Sequence, residues 1–135
     1  MIVHLSRRYG FFASHRLHTP ELSDEENRAL YGKCNNPYGH GHNYEVEVTV
    51  QGRIDEVTGR AVDLAVLDRL VEEEILAPFR YRNLNTEVEA FRAISPTTEN
   101  LAEEVDRRLR ARCPQVEKIR IWETDRNICE IRHDS

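Results

Sequence analysis

One cysteine and two histidines stand together in the stretch Gly32-Lys33-Cys34-Asn35-Asn36-Pro37-Tyr38-Gly39-His40-Gly41-His42-Asn43-Tyr44. Beyond it Tyr44, Val46, Val48 and Val50 alternate with Glu45, Glu47, Thr49 and Gln51, the pattern of a half-buried β-strand. Residues two apart on a strand share a face. His40 and His42 therefore point the same way, on the valine side, and form two thirds of a metal site. His15, near the end of a first strand, supplies the third ligand if the first two strands pair as a hairpin. Three neutral imidazoles with one open position are the donor set of a catalytic zinc, and the lack of thiolates in that set argues against a structural one. Spacing alone also allows His40 and His42 to be ordinary loop histidines.

Two further side chains carry chemistry. Cys34 lies in a polar, glycine-flanked loop beside Lys33. That setting lowers a thiol pKa and suits acid/base work or nucleophilic attack; the ordinary alternative is a small buried hydrophobe. Cys113 and Cys129 have no such setting and read as structural. Glu123 shares parity with Ile119 and Ile121. A carboxylate at the end of an apolar strand face needs a partner. It can accept two hydrogen bonds from a flat ligand with adjacent N–H groups, or pair with one of the chain's many arginines.

The elements that must position these groups follow from periodicity. A first strand spans residues 2 to 15, with a possible bulge at Gly10. Residues 21 to 30 predict a short helical turn, and the Cys34 loop and second strand come next. Asp63 caps a helix with Leu64, Leu67, Val71 and Ile75 on one stripe, ended by Pro78. Residues 79 to 96 read as irregular. Ser95-Pro96 starts a second helix whose apolar positions are Leu101, Ala102, Val105 and Leu109. Its early glutamates and late arginines complement the helix dipole. Strands around Ile119–Trp122 and Ile128–His133 form a closing hairpin. The order ββααββ predicts a single α+β domain over residues 1–135: an antiparallel sheet with two helices on one face. The other face must meet solvent or another subunit.

Composition bounds the function. A chain of 135 residues supports one core, and a net charge of −5 with no basic block argues against a nucleic-acid partner. The ~18 consecutive apolar residues of a membrane span are absent, and Met1-Ile2-Val3-His4-Leu5 reads as a strand start rather than a signal peptide. Three cysteines without a Cys-x-x-Cys fit a reducing, cytoplasmic location.

Four segments carry a resemblance: Phe12-Ala13-Ser14-His15-Arg16-Leu17, the Cys34 to Tyr44 stretch, Pro96-Thr97-Thr98-Glu99-Asn100-Leu101 and Glu123-Thr124-Asp125-x-Asn127. Together they resemble the 6-pyruvoyltetrahydropterin synthase family over nearly the whole chain. The resemblance implies the tunnelling fold (T-fold), in which trimers close a β-barrel and two trimers stack into a homohexamer. It implies zinc on His15, His40 and His42, and a small-molecule pterin held by Glu123 with help from Thr97, Thr98 and Glu99. It makes Cys34 a proton-transfer group. The implied reaction is on 7,8-dihydroneopterin triphosphate or a close relative. Alternatives are a 6-carboxytetrahydropterin synthase-type lyase of queuosine biosynthesis, or a pterin-binding paralogue with little turnover. Cys34-Asn35-Asn36-Pro37-Tyr38-Gly39-His40-Gly41-His42 is the long loop of the pyruvoyl type, though loop length alone does not fix the product. One departure stands out. The family carries Asp-His before Lys/Arg-Asn-Leu-Asp/Asn, working with the cysteine across a subunit interface; here Arg80 and Tyr81 take those places. Tyrosine, with an unperturbed pKa of about 10, shuttles protons less easily than histidine near neutral pH. Cys34 remains the candidate base, with Tyr81 a possible proton donor or acceptor and Arg80 a candidate to hold the thiolate or bind phosphate.

Overall fold

The computed structural model describes residues 1–133. Strands β1 (Ile2–His15), β2 (His40–Arg53), β3 (Val116–Trp122) and β4 (Ile128–Arg132) form one antiparallel sheet in the order β1-β2-β3-β4. Between β1 and β2 lies the short helix α1 (Asp24–Tyr31), opened by a reciprocal capping box of Ser23 and Glu26. The long connection from β2 to β3 carries α2 (Leu64–Val71), the single turns α3 (Ala77–Phe79) and α4 (Leu84–Glu87), and α5 (Thr98–Arg112). The core lies between these helices and one sheet face: Val46, Val48, Ile119 and Ile121 meet Leu67, Val71, Ile75, Leu101, Val105 and Leu109. Among the described residues no helix is long and apolar enough to cross a membrane.

Pairing of β1 with β2 is unbroken from Ile2↔Arg53 to His15↔His40. Gly10 therefore makes no bulge, and the parity of Phe11 and Ala13 carries straight through to His15. The irregularity sits instead between β2 and β3, at Thr49/Val50. It has a clear consequence: Val116 and Ile119 have opposite parity along β3, yet both are buried, because the bulge turns the strand between them.

Both long helical segments differ from expectation at one end. Pro78 does not stop the helix that Asp63 caps; it lies in α3, after a wide π turn at Glu72–Leu76. Proline lacks an N–H, so a preceding carbonyl is left over. Arg108 Nη1 donates to the Glu74 carbonyl at 3.2 Å, and its guanidinium lies 4.9 Å from the Phe79 ring centre. An arginine from α5 thus supplies what the helix cannot. Helix α5 begins later than Ser95-Pro96. Thr97 is its cap, accepting from the Asn100 N–H, and Pro96 stays outside with its carbonyl free for another role. The segment expected to be irregular is ordered by one-turn helices around buried Leu84, Val88 and Phe91.

The outer sheet face is laced by polar contacts. Arg8 and Lys118 flank Glu47, and Ser6 meets Thr49 at 2.7 Å. Cys34, Cys113 and Cys129 are free thiols.

Candidate metal and pterin site

The hairpin register decides where the histidines go. His15 stands directly across from His40, and Ala13 across from His42. Opposed residues on antiparallel strands share a face, so all three imidazoles lie on the core side, at the end of the sheet. Gly41 lets the Phe12 ring lie over the strand between the two histidines: a Cβ there would lie 2.4 Å from that ring and displace it. Gly39, at φ +86°, turns the chain into β2.

His15 is fully buried. Its Nδ1 lies 3.0 Å from the Pro96 carbonyl and 3.2 Å from the Tyr44 hydroxyl. A carbonyl only accepts, so Nδ1 carries the proton and the Nε2 lone pair faces inward. There it meets His42 Nε2 at 3.1 Å. Burial pushes the pKa of both imidazoles down, which favours their neutral forms. Neutral imidazoles turned toward one point are the form in which histidine ligates a cation.

Two other groups face the same point. Cys34 Sγ is 3.9 Å and Glu123 Oε1 3.6 Å from His42 Nε2. Among the described residues, the ligand atoms of His15, Cys34, His42 and Glu123 all lie within 4.8 Å of one another. The donor set, two imidazoles with a thiol and a carboxylate, fits a divalent metal such as zinc. His40 stands one ring further out, its ring centre 4.6 Å from that of His42, beside this quartet rather than in it.

Cys34 sits in a tight turn, Gly32–Asn35, tied to the exit of β1. The Leu17 N–H donates to the Cys34 carbonyl at 2.7 Å, and Asn35 Nδ2 to the Leu17 carbonyl at 2.7 Å. The thiol differs from the sequence expectation. Burial, reinforced by the Glu123 charge, raises its pKa, whereas adjacency to Lys33 predicts a lowering. The reason is tertiary: a carboxylate from the far end of the chain reaches the sulfur. Both influences act against a standing thiolate.

Glu123 follows β3 and is 8 % exposed. Thr98 Oγ1 donates to its Oε2 at 2.8 Å, Asn127 Nδ2 reaches its Oε1 at 3.4 Å, and its N–H donates to the Asn127 carbonyl at 3.0 Å. No arginine pairs with it among the described residues; its one charged neighbour is His42. That removes the salt-bridge alternative within this chain.

The remaining expected site residues lie elsewhere. Thr97 spends its hydroxyl on the α5 cap, and Glu99 is exposed on a groove with Cys129 and His133. Arg80 makes a two-pronged pair with Glu72, at 3.2 and 2.9 Å, and no hydrogen bond to Cys34 within this chain. Tyr81 is 77 % exposed and left-handed at φ +59°, a strained conformation for a tyrosine. Its amide is pinned to the Phe12 carbonyl at 2.7 Å, and Ser14 N–H to the Arg82 carbonyl at 3.0 Å. Three site residues escape the sequence reading. Tyr44 was legible, since a hydroxyl on the inward parity needs a partner. Asn127 lies within a quoted motif without an assigned role, and Pro96 contributes only a carbonyl, which no side-chain pattern reveals.

A family model described as 6-pyruvoyl tetrahydropterin synthase matches residues 4–134. The 6-pyruvoyl tetrahydrobiopterin synthase of Poecilia reticulata is 50% identical, covering 97% of this chain and 90% of that one. The Homo sapiens protein of the same name is 48% identical, covering 92% and 87%. The solved structure of Caenorhabditis elegans 6-pyruvoyl tetrahydropterin synthase superposes with a TM-score of 0.92 at 37% identity, covering 99% of this chain and 97% of that one. The four-stranded antiparallel sheet with its helices is thus the T-fold of these enzymes. The chain belongs to the 6-pyruvoyl tetrahydropterin synthase family.

Proposed function

We propose that this chain is a zinc-dependent carbon–oxygen lyase acting on 7,8-dihydroneopterin triphosphate or a close relative. The observation that carries the reading is the convergence of His15, His42, Cys34 and Glu123 at one buried point. His15 and His42, with His40 beside them, hold the metal. Zinc bound there supplies Lewis-acid polarisation that acidifies the side-chain hydroxyls of the substrate. Glu123, oriented by Thr98 and Asn127, accepts two hydrogen bonds from adjacent N–H groups of the pterin ring. Cys34 exchanges a proton with the substrate side chain. Triphosphate leaves as the side chain rearranges by internal oxidation and reduction, so no external oxidant is required. Thr97 acts on the pterin pocket indirectly, by capping the helix whose first residue, Thr98, holds Glu123, and Glu99 would reach the ring only by turning from its exposed position. Incubating the zinc-loaded protein with dihydroneopterin triphosphate and identifying products by mass spectrometry tests this: a pyruvoyl-tetrahydropterin product is expected, and a two-carbon aldehyde with a carboxy product would move the chain to the carboxy-type lyases.

Tyr81 and Arg80 make no hydrogen bond to Cys34 within one chain, and the exposure of Tyr81 suits a role across a subunit boundary. We place them at the junction of a homohexamer built from two trimers, where they take the position of the family's Asp-His pair. The same feature favours a second reading, a pterin binder with little turnover, because tyrosine is a poor proton shuttle near neutral pH.

Metal analysis of protein purified without chelator should find about one zinc per chain, the content of a single catalytic site. His42→Ala should abolish it; full zinc in that variant would refute the ligand assignment. Because burial lowers both imidazoles, they stay neutral below their ordinary pKa of about 6.5, and zinc should be retained into mildly acidic solution.

Glu123→Gln should weaken pterin binding about tenfold or more, since a charge-assisted hydrogen bond is worth roughly 1.5–3 kcal/mol. Zinc content should not change. Loss of zinc instead would make Glu123 a ligand, and unchanged pterin affinity would remove it from the pocket.

Light scattering should give the mass of six chains, and a monomer would count against the shared site. A positioned general acid/base contributes typically ~10²–10⁴-fold. Arg80→Asp combined with Tyr81→His should therefore raise pyruvoyl-forming activity by orders of magnitude. A fully active natural chain that tolerates Tyr81→Phe would overturn the proposed role of this pair.

A further inference from the structure

The turn that carries Cys34 is tied to the three residues that follow β1. The Leu17 N–H donates to the Cys34 carbonyl at 2.7 Å, and Arg16 Nε donates to the Asn35 carbonyl at 3.2 Å. The side chain of Asn35, 5 % exposed, closes the connection from the other direction. Its Nδ2 donates to the Leu17 carbonyl at 2.7 Å and lies 3.1 Å from His18 Nδ1. A carbonyl only accepts, so the Leu17 bond identifies which end of the amide is the nitrogen. An amide nitrogen only donates, so His18 Nδ1 accepts and the His18 proton sits on Nε2. His18 is thus a histidine outside the metal cluster, used as a hydrogen-bond acceptor.

Residues 16–18 are themselves fixed from the opposite side. Asn85 of α4 brackets Arg16: its Oδ1 accepts from the Arg16 N–H at 2.7 Å, and its Nδ2 donates to the Arg16 carbonyl at 2.8 Å. Ser95 Oγ donates to the His18 carbonyl at 3.1 Å. Ser95 precedes Pro96, whose carbonyl orients His15. The Cys34 turn and the His15 imidazole therefore take their places from one frame, built on the exit of β1 and the turn before α5.

We propose that Asn35 and His18 form a clasp that positions Cys34, acting through the thiol and touching neither metal nor pterin. An apolar pair would fill the same space. What these two side chains supply is direction, because one buried amide nitrogen spends both its N–H groups on the exit of β1. A group that transfers a proton must stand within hydrogen-bond reach of its target, and a misplacement of about 1 Å can cost about 10²-fold in rate. The effect on turnover rests on the reading of Cys34 as the proton-transfer group; the clasp itself does not.

His18→Phe keeps a flat ring and removes the acceptor, whereas His18→Asn places a side-chain oxygen where Nδ1 stands. Alkylation of each cysteine by iodoacetamide is followed by mass spectrometry in the zinc-loaded protein. Releasing the clasp moves the half-buried thiol toward solvent. His18→Phe should therefore speed alkylation of Cys34 roughly three- to tenfold, the range that one neutral hydrogen bond spans. Cys113 and Cys129 should react as in the natural chain, and zinc content and 7,8-dihydroneopterin affinity should hold. With 7,8-dihydroneopterin triphosphate, kcat should fall while KM stays. His18→Asn should return Cys34 to its natural rate, and Asn35→Ala, which frees both bonds, should exceed His18→Phe. An unchanged Cys34 rate in His18→Phe, an equal acceleration at all three cysteines, or no restoration by His18→Asn would overturn the clasp. Faster alkylation of Cys34 alone with kcat unchanged would support the clasp and refute Cys34 as the proton-transfer group.

Discussion

The site depends on two imidazole nitrogens, His15 Nε2 and His42 Nε2, facing each other at 3.1 Å in a buried place. They face because β1 and β2 keep one register over their whole length. A slip of one residue would send every side chain of one strand to the opposite face, and His15 would leave the cluster. The register is secured by the core itself, since the same parity buries Phe11, Ala13, Tyr44, Val46 and Val48. Folding the apolar face and assembling the candidate metal ligands are thus one event. The small residue Ala13 opposite His42 leaves space for the imidazoles, and Gly41, on the other face, leaves space for the Phe12 ring.

Polar groups this deep cost free energy unless they find partners. Each has one. His15 has the Pro96 carbonyl and Tyr44; Glu123 has Thr98 and Asn127. Among the described residues no buried side-chain nitrogen or oxygen is left without a hydrogen bond. Those bonds come from the turn before α5, from the first residue of α5 and from the β3–β4 connection, so the helix is locked to the sheet at the point where the chemistry is proposed. The same burial pushes the imidazole pKa values down and that of the Cys34 thiol up.

The departure at Arg80-Tyr81 is carried by a rigid frame. Residues 81–82 are zipped to β1 at Phe12 and Ser14, and Arg80 is tied down by Glu72. That frame holds Tyr81 in a left-handed conformation costing on the order of 1–3 kcal/mol. The backbone from which the exposed Tyr81 side chain projects is thus held in place by β1.

Local periodicity determined the order of the strands and helices, the inward parity of the histidines and the apolar stripe of α5, because those depend only on neighbours two to four residues away. It also placed Cys34 in a loop beside the histidines and Glu123 on the apolar parity. Contacts across the chain decided the rest. Arg108 satisfies the carbonyl that lets a helix run on through Pro78; the Pro96 carbonyl lies outside α5 because Thr97 is the cap and His15 takes that carbonyl. The Thr49/Val50 bulge reconciles two parities in β3, and Gly10 needs none. The Cys34 pKa is raised by burial and, secondarily, by the Glu123 charge, both supplied by elements distant in sequence, against what adjacent Lys33 suggests. Periodicity is a property of neighbours along the chain, while burial and field at a point are sums over everything packed around it.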